Sequence, residues 1–230
     1  PEFGKIKDIC LKRKHKVLSY GYNGDIKIVS LESHFNGQNV VLEYEGKKYN
    51  LNTPFIGKFQ VMNLLCSLGI VLSFGIEKSI EKILRIMETI KQAEGRMEFV
   101  GNKPNGASVY IDFAHKPDAL KQVLETMREH VKSIEGARIA ILFGCGGDRD
   151  RTKRPVMGKI AEELADMVFI TEDNPRSEDP AAIRAEIMMG CPGAYNIAEG
   201  RKKAIEFAID KLKSKDILII AGKGHEKYII

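Results

Sequence analysis

The segment 138–171 reads RIAILFGCGGDRDRTKRPVMGKIAEELADMVFIT and decides the fold of the larger part of the chain. It opens with an apolar run at 138–143, which predicts a buried strand, and closes with a second such run at 167–171. Between them lie a glycine-rich loop and residues 155–165, where helical spacing follows Pro155 in the first turn. A strand, a helix and a strand in this order predict a right-handed βαβ unit of a parallel sheet.

The same alternation continues on both sides of this segment. Further strands are predicted at 108–113, 195–198 and 216–221, and further helices at 117–133, 180–189 and 200–213. We therefore expect residues 95–230 to form one Rossmann-like α/β domain, with a mainly parallel sheet and helices on both faces.

Residues 4–94 follow a different pattern. The three residues before them include no initiator methionine and are interpreted as a cloning remnant. Short alternating runs predict an antiparallel meander within residues 5–52, with strands at 16–20, 25–31, 40–44 and 48–51 and hairpin signals at Asn36-Gly37 and Glu45-Gly46. Helices are predicted at 59–73 and 76–92. We expect a partial antiparallel α+β domain.

The composition excludes several classes of protein. The chain is 43% hydrophobic and 29% charged, with a net charge of +5, which is typical of a soluble globular protein. Its longest apolar stretch, 61–76, is too short and too polar to span a bilayer, and no signal peptide is recognisable. Four widely spaced cysteines argue against a zinc site or a disulfide framework. We expect a cytoplasmic protein that binds neither membranes nor nucleic acid.

Four loops follow the four best predicted strands. Each combines Gly or Pro with charged or imidazole side chains, and they lie at 112–118, 144–151, 171–176 and 221–226. Because ligands bind outside the carboxyl ends of parallel strands, we expect these loops to converge at one edge of the sheet.

Each loop taken alone also has an ordinary interpretation. The glycines of 144–147 do not complete GxGxxG, since Arg149 stands at the third glycine position, and no GxxxxGK[ST] motif occurs in the chain. His115 could be a capping or core histidine, and residues 173–176 could form a simple turn.

Together, five motifs occur in the order and spacing of one family. They are GRME at 95–98, DFAHKPD at 112–118, FGCGGDRD at 143–150, DNPR at 173–176 and AGKGHE at 221–226. On these motifs the chain resembles the Mur ligases of peptidoglycan synthesis, and among them the UDP-N-acetylmuramoyl-tripeptide synthetases. Residues 95–228 resemble the C-terminal domain of that family, and residues 57–63 resemble the end of its central ATP-binding domain.

The resemblance implies a ligase that joins meso-diaminopimelate to UDP-N-acetylmuramoyl-L-alanyl-D-glutamate. ATP, with Mg²⁺, phosphorylates the carboxylate of the dipeptide, and the incoming amine attacks the acyl phosphate. The family's P-loop, Mg²⁺ ligands and carbamylated lysine belong to an earlier part of the central domain, whose motifs this chain lacks. We expect the chain alone to be inactive, with no metal site and no catalytic residue, and to be a monomer.

The resemblance also assigns candidate binding residues. For the amino acid they are Arg149, Asp173, Asn174, Pro175, Arg176, Gly222 and Glu226, and for the nucleotide they are Asn63, Asp112, Phe113 and His115. The chemistry is consistent, because guanidinium groups bind carboxylates through two parallel N–H bonds and carboxylates neutralise ammonium groups. The form of the DNPR segment implies the diaminopimelate-adding group.

The chain departs from the family pattern near the nucleotide. Gln60 replaces a usual Asn, Phe113 replaces a Tyr and so lacks its hydroxyl, and Lys116 adds a positive charge. Two alternatives remain open. A folylpolyglutamate synthetase-like ligase shares the Asp-x-Ala-His-x-Pro pattern but neither DNPR nor GKGHE, and the chain could also be a non-catalytic amino-acid-binding module.

Overall fold

The computed structural model describes residues 2–34, 37–75, 79–132 and 134–226. The chain divides into two compact units, Pro1–Ile90 and Lys91–Ile230. Among the described residues, no helix has both the length and the apolar character that crossing a bilayer requires.

The first unit is built on a four-stranded sheet. Its elements are α1 (Glu2–Lys12), β1 (Tyr20–Gly21), β2 (Ile26–His34), β3 (Gly37–Tyr44), β4 (Lys47–Thr53), α2 (Lys58–Phe74) and α3 (Ile80–Met87). Strands β2, β3 and β4 are antiparallel neighbours, which confirms the predicted meander. One face of this meander, including Ile28 and Leu42, shares a buried core with Leu65 and Leu68 of α2.

The hairpin between β3 and β4 turns at the predicted position. Glu45 and Gly46 have φ angles of 51° and 74°, as a two-residue turn that matches the twist of the strands requires. The other hairpin signal includes Asn36, which lies outside the described residues.

Three predictions for this unit are wrong in detail. The run at 16–20 is not a strand of the meander, because only Tyr20–Gly21 pairs with β2, and it pairs in parallel. Residues 2–12 form helix α1, although the first of them were interpreted as a cloning remnant and those from residue 5 onward were assigned to the meander. Ile6 and Ile9 of this helix have helical spacing but stay exposed. The helix expected at 76–92 is described only from Ile80 to Met87, where the Ser79 hydroxyl accepts a hydrogen bond from the Lys82 amide and so caps its start. Residues 76–78 lie outside the described part.

The second unit alternates strands and helices as predicted. Its elements are β5 (Glu98–Asn102), β6 (Ser108–Ile111), α4 (Pro117–Val131), β7 (Ile139–Phe143), α5 (Lys153–Leu164), β8 (Met167–Ile170), α6 (Pro180–Met188), β9 (Tyr195–Asn196), α7 (Arg201–Lys211) and β10 (Ile217–Ile220). The sheet order is β5-β6-β10-β7-β8-β9, and all neighbours are parallel except β5 and β6. Ser133, which the prediction placed at the end of a helix, lies outside the described residues.

Helices cover both faces of this sheet. The crossovers through α4, α5 and α6 all advance across the sheet in one direction, whereas α7 connects β9 back to the central strand β10. Because such crossovers are right-handed, α7 lies on the face opposite the other three. Ala204 and Ala208 of α7 pack there against Ala140 and Leu142. The fold class is therefore α/β with a parallel-rich sheet, as expected.

Candidate functional site

A cavity of about 720 Å³ opens at the carboxyl edge of the second sheet. Its walls come from the loops after β6, β7, β8 and β10, which are the four loops expected to converge. Eight of the candidate residues line it: Phe113, His115, Arg149, Asp173, Asn174, Arg176, Gly222 and Glu226. Asp112 and Pro175 belong to the same loops but do not line the cavity, and Asn63 lies on α2 of the first unit.

One backbone hydrogen bond and one side-chain hydrogen bond join the loops after β7 and β8. The Gly147 amide donates to the carbonyl oxygen of Asn174 at 2.8 Å, and Nη1 of Arg176 donates to the carbonyl oxygen of Gly147 at 2.9 Å. A Cβ atom at position 147 would overlap the carbonyl oxygen of Pro175. Glycine at this position therefore allows the two loops to meet.

Asp148 reinforces the same junction. Its carboxylate accepts hydrogen bonds from the Ser177 hydroxyl at 2.6 Å and from the Ser177 amide at 3.2 Å. The hydroxyl hydrogen bond lowers the pKa of Asp148 below its ordinary value. Asp148 and Arg176 both have a φ angle of 52°, a left-handed conformation that costs a non-glycine residue free energy and persists because the surrounding contacts hold it.

Arg154 lies behind this junction and is completely buried. Its guanidinium donates to Glu178 at 2.8 and 2.9 Å, to Glu186 at 2.7 Å and to the carbonyl oxygen of Gly146 at 3.2 Å. Its hydrogen bonds to the carboxylate, together with that from the Asp148 amide, lower the pKa of Glu178 to about 2. Sequence reasoning grouped Arg154 with a basic run and missed this role, although its place one residue before Pro155 puts it in the first turn of α5.

A buried lysine, Lys223, lies behind the cavity lining. Nζ of Lys223 donates to Oδ1 of Asn174 at 2.8 Å and lies 3.6 Å from Glu226 and 3.9 Å from Asp173. Gly222 has a φ angle of 107°, and a Cβ atom there would lie 2.8 Å from Oδ2 of Asp173. Position 222 thus needs glycine for its conformation and for the close approach of Asp173.

A second buried cation, Arg201, lies near the same carboxylates. Its guanidinium donates to the carbonyl oxygen of Ala221 at 2.8 Å, and burial lowers its pKa while Asp173 and Glu226 raise it. The two carboxylates expected to neutralise a ligand ammonium therefore already face Lys223 and Arg201. A charged ligand that binds there therefore meets two carboxylates whose charges are already offset by two buried cations.

The loop after β6 is shaped by Asp112. Its two carboxylate oxygens accept the amides of Met97 at 2.8 Å and Ala114 at 2.7 Å, and burial raises its pKa. The Phe113 ring stacks on the His225 ring, with centroids 5.3 Å apart. Through the two amides that it accepts, Asp112 holds the backbone of the loop after β6 in place.

His115 and two lysines form the opposite wall. Nδ1 of His115 lies 2.9 Å from the carbonyl oxygen of Phe113, so this nitrogen carries the proton. Nζ of Lys153 donates to the carbonyl oxygen of His115 at 2.9 Å, and Lys116 also lines the cavity. This wall thus combines an imidazole with two ammonium groups, and Asp118 also lines it.

Two kinds of chemistry find no support among the described residues. Nowhere in that part of the chain do three or more His, Cys, Asp or Glu side chains form a group that could hold a metal ion. Cys145 lines the cavity, but burial raises the pKa of its thiol to about 11, so it stays protonated at neutral pH.

Comparison with known protein families identifies the chain. Residues 95–224, more than half of its length, match the domain described as "Mur ligase, glutamate ligase domain". The chain belongs to the Mur ligase family. Residues 1–71 of this Mur ligase chain match the Mur ligase middle domain. The family resemblance inferred from the five motifs is thereby confirmed.

Curated relatives share one name. A protein of Mesorhizobium japonicum is 46% identical over 212 residues, which cover 92% of this chain and 42% of the relative, and is named UDP-N-acetylmuramoyl-L-alanyl-D-glutamate--2,6-diaminopimelate ligase. A protein of Rickettsia bellii with the same name is 45% identical over 226 residues, covering 98% of this chain and 46% of the relative. The chain thus spans less than half the length of these relatives.

Solved structures agree with the family. A structure titled as a UDP-N-acetylmuramoyl-L-alanyl-D-glutamate--2,6-diaminopimelate ligase superposes with a TM-score of 0.73 at 33% identity, covering 97% of this chain and 46% of that one. A folylpolyglutamate synthase of Thermotoga maritima superposes with a TM-score of 0.68 at 17% identity, covering 94% and 47%. The second likeness shows a shared fold only.

Proposed function

We propose that this Mur ligase chain is the amino-acid-binding part of an ATP-dependent ligase that adds meso-diaminopimelate to UDP-N-acetylmuramoyl-L-alanyl-D-glutamate. The observation that carries the proposal is one cavity whose lining includes two arginines, Arg149 and Arg176, and two carboxylates, Asp173 and Glu226. Meso-diaminopimelate carries two carboxylates and two ammonium groups, so these four side chains offer a partner of opposite charge to each of its ends. The names of the curated relatives support the same substrates.

Arg176 is the residue that selects the amino acid in this proposal. Its Nη1 is occupied by the carbonyl oxygens of Gly147 and Asn174, whereas Nε and Nη2 make no hydrogen bond to the described residues. That edge of the guanidinium suits a carboxylate held by two parallel N–H bonds. Lysine lacks the second carboxylate, so it would leave this edge unsatisfied and bring an ammonium group near it.

The proposed reaction has two steps. ATP transfers its terminal phosphoryl group to the dipeptide carboxylate and leaves as ADP. A neutral amine nitrogen of the amino acid then attacks the acyl carbon, the C–O bond to phosphate breaks to release inorganic phosphate, and the nitrogen loses a proton to solvent. This chain contributes position: it holds the amine and orients it toward the carbonyl. No group of described residues fits Mg²⁺, so no step here is assigned to that ion.

The nucleotide would contact the wall formed by the loop after β6. Phe113 and His115 line the cavity there, and Lys116 adds a charge near which a phosphate could bind. Asp112 serves this wall indirectly, since both its oxygens hold backbone amides. Asn63, on α2 in the part that matches the middle domain, is the fourth proposed nucleotide contact.

The proposed division of labour places residues 4–94 in the C-terminal part of the ATP-binding domain and residues 95–230 in the amino-acid-binding domain. The chain contains no GxxxxGK[ST] motif, so the 230 residues alone should not turn over substrates, whereas the parent protein should. We further propose that it works as a monomer in the cytoplasm on small-molecule substrates.

Calorimetric titration of the chain with meso-diaminopimelate and with L-lysine tests the proposal. We expect about a hundredfold preference for meso-diaminopimelate, because a lost charge-assisted contact costs roughly 3 kcal/mol. Arg176→Ala should abolish the preference, and Arg176→Lys should weaken it, since a point charge does not reproduce the two parallel bonds. Equal affinity for both amino acids in the wild type would refute the assignment of Arg176.

A further inference from the structure

Lys223 fixes the orientation of the Asn174 side chain. An ammonium group only donates hydrogen bonds, so the Asn174 atom 2.8 Å from Nζ must be the carbonyl oxygen Oδ1. The amide nitrogen Nδ2 then lies on the other side, 3.3 Å from a carboxylate oxygen of Glu226, which only accepts. If the amide were reversed, its NH₂ group would face the Lys223 ammonium group and its oxygen would face the Glu226 carboxylate, and neither pair could form a hydrogen bond.

The lysine is placed behind the cavity. Its side chain is 9% exposed and is not part of the lining, whereas Asn174, Asp173 and Glu226 are. Its charge is balanced by Glu226 at 3.6 Å and Asp173 at 3.9 Å, and Arg201 is the other buried cation near these carboxylates. A buried ammonium group is stable only with such partners, so Lys223 and the lining residues depend on each other.

We propose that Lys223 is a positioning residue for amino-acid binding, acting through Asn174. It holds the Asn174 amide in the cavity lining beside the Glu226 carboxylate. These two groups match the carboxylate and the ammonium of one α-amino-acid end. The inference rests on the proposed function, because it concerns the ligand of the same cavity.

A double-mutant cycle measured by calorimetric titration of the chain with meso-diaminopimelate tests this role. Lys223→Met should weaken binding at least tenfold, and the same substitution in an Asn174→Ala background should have a several-fold smaller effect, because only the part that Lys223 exerts through Glu226 and Asp173 remains. A lysine that only stabilised the fold would show the full effect in both backgrounds. Lys203→Met, on the exposed side of α7, is the matched control and should bind as the wild type does.

Two further measurements separate the outcomes. If Lys223→Met is unfolded by circular dichroism, Lys223→Gln replaces it, since glutamine keeps an N–H donor without the charge; it should retain more affinity than the Asn174→Ala variant. No binding by the wild type overturns the proposed function and this inference with it. Wild-type binding with unchanged affinity in the Lys223 variant, or a full loss that persists without Asn174, overturns the inference alone.

Discussion

The guanidinium of Arg176 is held by the backbone of Gly147, whose carbonyl oxygen lies 2.9 Å from Nη1. A flexible side chain is thereby anchored to a neighbouring loop, and its remaining N–H groups keep a fixed direction. Preorganised donors of this kind bind a carboxylate without losing further side-chain entropy. The direction of the Arg176 side chain therefore depends on both the loop after β7 and the loop after β8.

Gly147→Ala should separate these loops. The new methyl group would overlap the Pro175 carbonyl oxygen, so the backbone must move and the hydrogen bond to Arg176 must lengthen. We expect a loss of about 1–3 kcal/mol in the free energy of unfolding and a weaker affinity for meso-diaminopimelate. Urea unfolding and calorimetry measure both. Gly193→Ala is the control, because its Cβ would meet only the flexible end of Glu162; wild-type behaviour of both variants would contradict this account.

Arg154→Leu should be strongly destabilising. The substitution leaves Glu178 and Glu186 without their shared buried partner and removes the donor to the Gly146 carbonyl, a loss of roughly 1–3 kcal/mol in urea unfolding. Lys159→Leu removes an exposed charge from the same helix and should change stability by less than about 1 kcal/mol. Similar changes in the free energy of unfolding for the two variants would mean that Arg154 contributes no more to stability than an exposed charge does.

Acid should weaken the second unit through Glu178. Its pKa is about 2 in the folded protein, against an ordinary value of 4.5, because Arg154 stabilises the ionised form. A depressed pKa contributes stability that is complete above pH 4.5 and disappears as the pH falls toward 2. The difference in unfolding free energy between wild type and Glu178→Gln should therefore shrink over that interval. Glu163→Gln, an exposed change on α5, provides the control, and a pH-independent difference for Glu178→Gln would contradict the coupling.

Hydrogen exchange should distinguish the two units. Helix α1 keeps Ile6, Ile9 and Leu11 more than half exposed, whereas β7 and β10 are buried along their whole length. Amides of residues 4–94 should therefore exchange faster on average than those of residues 95–226. Mass spectrometry of peptic fragments provides the comparison. Equal protection in both regions would argue against the proposed partial domain.

Periodicity and topology account for what the sequence predicts well. Apolar runs and prolines locate the parallel strands and helices of the second unit, and the rule for carboxyl ends brings four loops together before any coordinates are known. The sequence does not predict strand β5. Its Phe99 and Val100 are both exposed, so the strand has no alternation of buried and exposed residues, and it is defined by its antiparallel pairing with β6. Local patterns carry little information about an edge strand of this kind.

The roles of individual charges could not be predicted. Arg149, Arg151 and Arg154 belong to one basic run, yet only the third is buried, and its partners Glu178 and Glu186 come from a distant segment. Lys223 presents the same difficulty, because its contact with Asn174 joins residues 49 positions apart in the chain. Which charges turn inward depends on tertiary packing.

Strand β10 lies in the middle of its sheet, between β6 and β7, although it is the last of the described strands to be synthesised. A nascent chain emerging from the ribosome therefore has β6 and β7 available without the strand that separates them. Translation proceeds at roughly 5–20 residues per second, so the earlier strands wait several seconds with unpaired edges. The cavity, whose lining includes Gly222 and Glu226 from the loop after β10, can form only after that strand has inserted.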